Sequence, residues 1–420
     1  MGRPRATIAC VDLDTFFVSV ERREDPSLIG KAVVVGGKPN QRGVVSAASY
    51  EVRELGVRSG MSLRDAGRLA PHAIFLPVRH GVYGEVSARV RTIVDRYSPA
   101  VQAASIDEFY VDFAGCERLY RSSQDADDEA TVLRIVRELT AAIRDELDLP
   151  ASAGIGSSRA VSKIACRFAK PEGVRLVPAG TEVDFLEPLP VRALPGIGPV
   201  AEERLRKKGF RTLGQLQRAG DDQLRRCFGD RAARIRATLL GELSDGLKRD
   251  RPAFREQDLD GETVGSISNE RTFREDVRDE QSHRSMLAAL VERVCWRARK
   301  RGVVARTVTL KLRYADFETL TRARTLPPTC TEREILPVIM ELYTAARTRG
   351  TPLRLLGVAL SKLEPRGEQQ LGLFESLEVP KAVDKIRARF DYDAIRVASS
   401  KSSGAFQRKR PSRHEEADSA

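Results

Sequence analysis

The sequence predicts an α+β protein of several domains, and three observations carry that. At the N-terminus a strand, a helix and a second strand follow one another: TIACVDL at 7–13 and AVVVG at 32–36 are β-branched runs ended by Asp or Gly, and 15–23 between them has the apolar spacing of a helix. Residues 198–241 read as helical throughout, punctuated by Gly209, Gly214, Gly220 and Gly229. Beyond a polar, charged, Pro-containing stretch at 244–260, VARTVTLKLRY at 304–314 alternates as a strand of a half-buried sheet does. With 420 residues the chain is long enough for roughly two to four domains of ordinary size.

Taken in order, Asp14 stands before TFFVSVERR where a helix N-cap belongs. Residues 82–97 and 129–147 are amphipathic helices, and 101–113, ending in FYVDF, reads as a pair of strands. A further domain starts near 260, and 401–420 is a Ser-rich, charged, disordered tail. There is no internal repeat. Hydrophobic residues at 41% against 31% charged supply packed cores for most of the chain.

Charge narrows the partner. Lys and Arg total 71 against 59 Asp and Glu, a net of +12, which favours a polyanion such as nucleic acid or an acidic membrane surface. That excess is not evenly spread. The first 190 residues are nearly neutral, whereas 191–243 carry 12 basic and 6 acidic groups and 244–363 carry 23 and 17. Such a division predicts chemistry in the front half and a phosphate grip behind it, with binding that weakens steeply in salt. No apolar stretch approaches the ~20 residues of a membrane helix, and no signal-peptide core opens the chain. Six scattered cysteines without a C-x-x-C pair read as reduced core thiols of a cytoplasmic protein.

The chemistry-bearing residues are acids. VDLD at 11–14 and SIDE at 105–108 end apolar strands more than ninety residues apart, so each strand could deliver carboxylates to one point. Carboxylates with no His or Cys beside them suit a hard, oxygen-preferring ion such as Mg²⁺. Acids at strand ends equally serve as turn formers and caps, and spacing alone does not separate the two readings.

The runs VDLDTFFVSVE at 11–21, SYEVRELGVRSGM at 49–61, SIDEFYVD at 105–112, GIGSSRAVSKIACRFAKP at 154–171 and LPGIGPVAEERL at 194–205 resemble, in order and spacing, the successive motifs of the Y-family, or translesion, DNA polymerases. The similarity is greatest to the bacterial DNA polymerase IV (DinB) branch and extends to about residue 365. It implies a right-hand architecture: palm at 1–14 and 82–176, fingers at 15–81, a thumb with a helix-hairpin-helix at 177–243, a linker at 244–260, a DNA-binding little finger at 261–365, and a tail at 366–420.

By motif position the resemblance implies that Asp12, Asp107 and Glu108, with the Leu13 carbonyl, hold two Mg²⁺ ions for in-line transfer of a deoxynucleotide to a primer 3′-hydroxyl. Tyr50, Arg53 and Lys170 match the positions that contact the triphosphate, and a phenol, a guanidinium and an ammonium are suitable donors. Lys163 lies in the same motif without an assigned role. Ala47 stands where relatives carry a Thr, which removes one hydroxyl from the phosphates. Phe16 and Phe17 lie against the incoming nucleotide, and Phe17 matches the steric gate that excludes a 2′-hydroxyl. Small residues at 43–49 (GVVSAAS) imply a roomy site that tolerates damaged bases.

PGIG at 195–198, with the basic RLRKKGFR at 204–211 beyond it, resembles a hairpin whose Gly196 and Gly198 main chain binds DNA phosphate. QLGLF at 370–374 is an apolar cluster in a polar stretch, resembling the pentapeptide by which bacterial polymerases bind the sliding clamp, through Gln370, Leu371, Leu373 and Phe374. The expected partners are thus primer-template DNA, deoxynucleoside triphosphates and the clamp, for a low-fidelity monomer without proofreading. Two alternatives stand beside this reading: a polymerase V catalytic-subunit type that needs a partner, to which 391–400 is similar, and a non-catalytic DNA-binding accessory protein. A two-metal nuclease would leave Tyr50, Arg53 and Lys170 without a task, and no P-loop is present.

Overall fold

The computed structural model describes residues 5–243, 247, 265–366, 378–390 and 392–395. The chain forms two compact units, 1–254 and 255–420. The fold class agrees with the α+β prediction.

In the first unit, a five-stranded sheet has the order Ala100–Ala103, Glu108–Asp112, Ile8–Leu13, Ala151–Gly156, Val174–Leu176. Alternation along Ile8–Leu13 sorts its side chains between two faces. Ala9, Val11 and Leu13 enter the large core with helices His80–Val94 and Asp128–Leu147, and Ile8 and Cys10 pack with Tyr110 and Cys166 on the other side. That second face is covered by helix Arg159–Ala169, whose start is capped by the Ser158 hydroxyl accepting from the Val161 N–H at 3.3 Å. Gly154 permits the contact: a Cβ there would lie 2.0 Å from the Cys166 nitrogen and 2.2 Å from the Ser162 carbonyl. Sheet and helix backbones therefore touch, and this closeness brings the helix's lysines over the sheet's acids.

Between strands Ile8–Leu13 and Ala100–Ala103 the chain builds a small three-stranded sheet, ordered Ala47–Ala48, Val33–Val35, Ile74–Leu76, with its own core around Val34, Val52 and Leu63. Residues 182–239 form helices Glu182–Leu186, Pro199–Lys207, Leu213–Gln217, Asp221–Phe228 and Ala232–Leu239 around Leu205, Leu213, Leu216 and Leu224. The glycine breaks at 209, 220 and 229 fall where predicted, but Gly214 lies inside a helix. A Cβ there would meet the Glu187 side chain at 2.5 Å, so Gly214 marks a packing contact, not a turn.

The second unit is an antiparallel sheet in the order Thr319–Thr329, Val303–Tyr314, Leu353–Pro365, Ser266–Val277, with helices Glu280–Lys300 and Glu332–Ala346. Val308, Leu310 and Leu312 share their core, while the alternate positions Thr307, Thr309, Lys311 and Arg313 occupy the other face. Within the stretch read from sequence as a tail, a helix Glu378–Phe390 packs on this unit. Arg299, 4% exposed, binds Glu332 at 2.9 Å and Asp384 at 2.6 Å; Arg387 pairs with Glu292; Tyr392 stacks obliquely on Trp296 at 4.9 Å.

The expectation for Asp14 fails. The residue before helix Phe16–Glu24 is Thr15, in the left-handed region at φ 45°, and its side chain makes no capping bond. The helix start is instead tied by the Ser19 hydroxyl donating to the Asp14 carbonyl at 2.6 Å. A β-branched residue in that conformation is strained, and the turn aims the Asp14 carboxylate away from the helix.

Candidate active site

Antiparallel register places Asp12 directly opposite Glu108. The turn before Glu108 is tight, with the Ala104 N–H donating to the Glu108 carbonyl at 2.8 Å, and the Leu13 N–H reaches the Asp107 carbonyl at 2.9 Å. Thus 11–14 and 105–108, distant in sequence, meet through the two central strands, and Asp12, Leu13, Asp107 and Glu108 form one cluster.

Helix Arg159–Ala169 and the residue after it lay two ammonium groups on this cluster. Lys170 donates to Asp12, and Lys163 donates to Glu108. Burial alone would lower both lysine pKa values, but the carboxylates carry them upward, Lys170 strongly. Asp12 moves the other way, pushed up to about 6 by burial, with Lys170 opposing and the charges of Asp107 and Glu108 adding to the rise. Sequence reasoning left Lys163 unassigned. Its signal was the seven-residue spacing to Lys170, two helical turns on one face.

Among the described residues no three His, Cys, Asp or Glu side chains converge as a ready-made metal cage. The reason is local: Asp12 and Glu108 each face a lysine, and the Asp107 carboxylate is turned to the Ser105 hydroxyl. The donor set nevertheless fits a hard cation. Asp107 and Glu108 lie close enough for their charges to raise Asp12, and Glu108 Oε1 is buried with no hydrogen-bond partner, an oxygen with a free lone pair.

The proposed triphosphate contacts lie beside the acids. The Tyr50 hydroxyl donates to Asp14 Oδ1 at 3.1 Å, and Lys170 Nζ is 3.4 Å from the same oxygen. Burial, and then the Asp14 charge, raise the Tyr50 phenol to about 12, so it stays a donor. Arg53 lies with its guanidinium carbon 5.3 Å from the centre of the Tyr50 ring, its Nε held by the Ala48 carbonyl at 2.9 Å. Ala47 belongs to the strand leading to this group.

Phe16 and Phe17 separate. Phe16 is 3% exposed and belongs to the large core, so its ring does not face the site. Phe17 is half-buried and stacks on Tyr83, with centroids 4.1 Å apart and planes 12° from parallel. Tyr83, also missed from sequence, is fixed in turn through its hydroxyl to Glu21, which pairs with Arg79.

In the helical region Gly196 has φ 87°, and exposed Gly198 caps helix Pro199–Lys207 with Pro199 at its first position. A small cleft of about 70 Å³ at this hairpin is lined by Gly196, Arg204, Lys208 and Arg231. Gln370, Leu371, Leu373 and Phe374 lie outside the described residues, as do most of 244–260 and all of 401–420. Among the described residues no helix is long and apolar enough to cross a membrane.

Comparisons with known proteins follow the same lines. The impB/mucB/samB family profile matches residues 11–167, the C-terminal domain of that family matches 264–373, and a DNA polymerase-iota thumb domain matches 192–234. The chain is 36% identical to the DNA polymerase IV of Dehalococcoides mccartyi, over 92% of this chain and 95% of that protein. It is 37% identical to the DNA polymerase IV of Alkalilimnicola ehrlichii, over 87% and 98%. Among solved structures it is similar in fold to a Y-family DNA polymerase chimera (Dbh-Dpo4-Dbh), with a TM-score of 0.73, 22% identity, and coverage of 85% of this chain and 99% of that one. DinB from Sulfolobus solfataricus matches with a TM-score of 0.53 at 22% identity, over 84% and 98%.

Proposed function

The chain belongs to the impB/mucB/samB family of Y-family DNA polymerases, and from that premise we propose how its own residues carry out the reaction. It is a DNA-directed DNA polymerase of the translesion, DinB type, with a right-hand fold, binding DNA and deoxynucleoside triphosphates and depending on a divalent metal. Asp12, Asp107, Glu108 and the Leu13 carbonyl would hold that metal, as two Mg²⁺ ions. When bound, the ions would acidify the primer hydroxyl and neutralise the leaving pyrophosphate. The single observation that carries this assignment is the pairing of the two acidic motifs, which sets Asp12 directly opposite Glu108.

The remaining work is done by side chains. Lys170 and Lys163 neutralise the acids before substrate arrives. With those acids engaged by a metal, the Lys170 and Lys163 ammonium groups would be available to phosphate oxygens. Tyr50 and Arg53 supply further donors, and Phe17 lies beneath the sugar, backed by Tyr83. Synthesis is of low fidelity and without proofreading. The hairpin at Gly196 and Gly198 offers main-chain N–H groups to DNA phosphate, supported by Arg204, Lys208 and Arg231 around it. In the second unit, DNA lies against the sheet face bearing Thr307, Thr309, Lys311 and Arg313. Short hydroxyl side chains there permit close approach of a sugar-phosphate backbone.

Primer extension with and without chelator tests the reading: synthesis undiminished by removal of divalent ions would overturn it. The pH dependence is a sharper check. Because its folded pKa is raised, Asp12 favours the metal-free fold when protonated, an advantage complete below about pH 4 and lost as pH rises through about 6. A cation needs the ionised form, so its affinity should be flat above about pH 6.5 and fall up to about tenfold per pH unit below 6. Calorimetric titration with Mg²⁺ or Mn²⁺ measures this, and affinity constant from pH 5 to 7.5 would remove Asp12 from the ligand set.

The chain works as a monomer, in the cytoplasm, a compartment with which six free cysteines are consistent, and gains processivity from a sliding clamp bound through Gln370, Leu371, Leu373 and Phe374. An apolar cluster in a polar stretch supports the latter. Deleting 370–374 is expected to remove clamp-stimulated synthesis, by about tenfold or more at limiting enzyme, while leaving distributive extension intact. Unchanged stimulation would sink the clamp assignment.

A further inference from the structure

Asp14 has no part in the reading above, although its carboxylate is 1% exposed and is approached from four sides. Oδ2 accepts from the Ser152 hydroxyl at 2.6 Å and from the Glu172 main-chain N–H at 2.9 Å. Oδ1 accepts from the Tyr50 hydroxyl at 3.1 Å and lies 3.4 Å from Lys170 Nζ. These groups come from three separate places: helix Tyr50–Glu54, strand Ala151–Gly156, and the turn that follows helix Arg159–Ala169. The strained Thr15 turn directs the carboxylate toward them at the expense of the helix cap it would otherwise form.

The two oxygens divide the work. Oδ2 is fixed to scaffold, a buried strand hydroxyl and a backbone amide. Oδ1 faces two of the three side chains that hold the triphosphate in the reading above, on which this inference rests. We propose that Asp14 is the positioning residue of the triphosphate site, holding the Tyr50 phenol and the Lys170 ammonium at one point from behind.

The chemistry follows from donor counts. Lys170 has three protons and faces two acceptors, Asp12 and Asp14. A cation that occupies Asp12 takes one acceptor away, and a side chain with four rotatable bonds would then be free to swing into solvent. Asp14 remains to hold it, leaving two protons for phosphate. Tyr50 has a single proton, given to Asp14 before the nucleotide arrives. Rotation about the phenolic C–O bond passes that proton to a phosphate oxygen without moving the ring, so the ring need not be ordered when substrate binds. Positioning of this kind lowers the cost of binding and leaves the chemical step alone.

The test is Asp14→Asn, which keeps size but replaces one acceptor oxygen by a donor, so that one side of the group is always mismatched. The expected result is a KM for deoxynucleoside triphosphate about tenfold higher with kcat within about threefold. Equilibrium binding of the nucleotide to a complex with a dideoxy-terminated primer should weaken to the same extent. Ser152→Ala removes only a rear support and should give the same pattern, about threefold in KM. It also carries the test if Asp14→Asn does not fold, an unchanged KM then overturning the proposal. A purely structural role would lower kcat and the melting temperature at unchanged KM, and that outcome overturns it too. Tyr50→Phe and Lys170→Ala separate the premises: if neither raises KM, the triphosphate reading itself fails, whereas if both do and Asp14→Asn does not, only the role of Asp14 falls.

Discussion

Asp107→Ala is expected to lower single-turnover primer extension by about three orders of magnitude or more, while DNA affinity stays within about twofold. Removing a carboxylate that holds a catalytic cation forfeits several kcal/mol of transition-state stabilisation, and about 4 kcal/mol corresponds to 10³ in rate. Of the three acids, Asp107 gives the cleanest test. Asp12 and Glu108 each hold a lysine, so truncating either would cost an ammonium one of its acceptors and disturb helix Arg159–Ala169 or the residue after it as well as the acid cluster. Asp107 is tied to the fold mainly by its main-chain carbonyl, which accepts from the Leu13 N–H at 2.9 Å and which alanine retains. The side chain gives up only the Ser105 hydroxyl. A melting temperature near that of the parent, with lost extension, assigns the deficit to chemistry. Extension within tenfold of the parent would show that Asp107 is not a metal ligand.

The acids were legible in the sequence because strand ends are legible: a β-branched run broken by Asp fixes both the element and the carboxylate's place on it, and the central strand pair does the rest. Lys163 and Tyr83 were not, since each acts through a partner more than fifty residues away, Glu108 and Glu21 respectively. Asp14 misled because the local rule it satisfied, an acid before a helix, lost to three tertiary contacts that no local pattern contains. Charge shows the same limit. The basic excess of 191–363 is real, but many of its cations are engaged within the fold: Arg236 with Asp221, Arg306 with Glu364, Lys311 with Glu270, Arg324 with Glu341 and Arg349 with Asp316. Exposed pairs of this kind are weak, so phosphate can compete for their cations. Each such exchange frees an acid beside the DNA, and the salt dependence should therefore be gentler than the count of basic residues implies.

Phe17→Ala is expected to raise ribonucleotide incorporation, relative to deoxyribonucleotide, by about 10²-fold. A wall that is only hydrophobic rejects an added hydroxyl weakly, on the order of 10² at best, and then only if it does not yield. Here the wall is braced. Phe17 stacks flat on Tyr83 at 4.1 Å, Tyr83 is held through its hydroxyl by Glu21, and Arg79 clamps Glu21 from the other side. Retreat of the ring from a 2′-hydroxyl would break that stack, which sets a stiff limit on the sugar. In Phe17→Ala the ring is gone and the hydroxyl has room, so discrimination falls while extension with deoxynucleotides persists, because no group in contact with the acids is altered. Competition of ribo- and deoxyribonucleoside triphosphates in single-nucleotide insertion gives the ratio directly. The bracing makes a second, independent demand: Tyr83→Ala, which leaves Phe17 in place but unsupported, should relax discrimination in the same direction by a smaller factor. If Phe17→Ala leaves the ratio unchanged, the ring is core alone. If Phe17→Ala relaxes it and Tyr83→Ala does not, the gate is real but rigid without its brace.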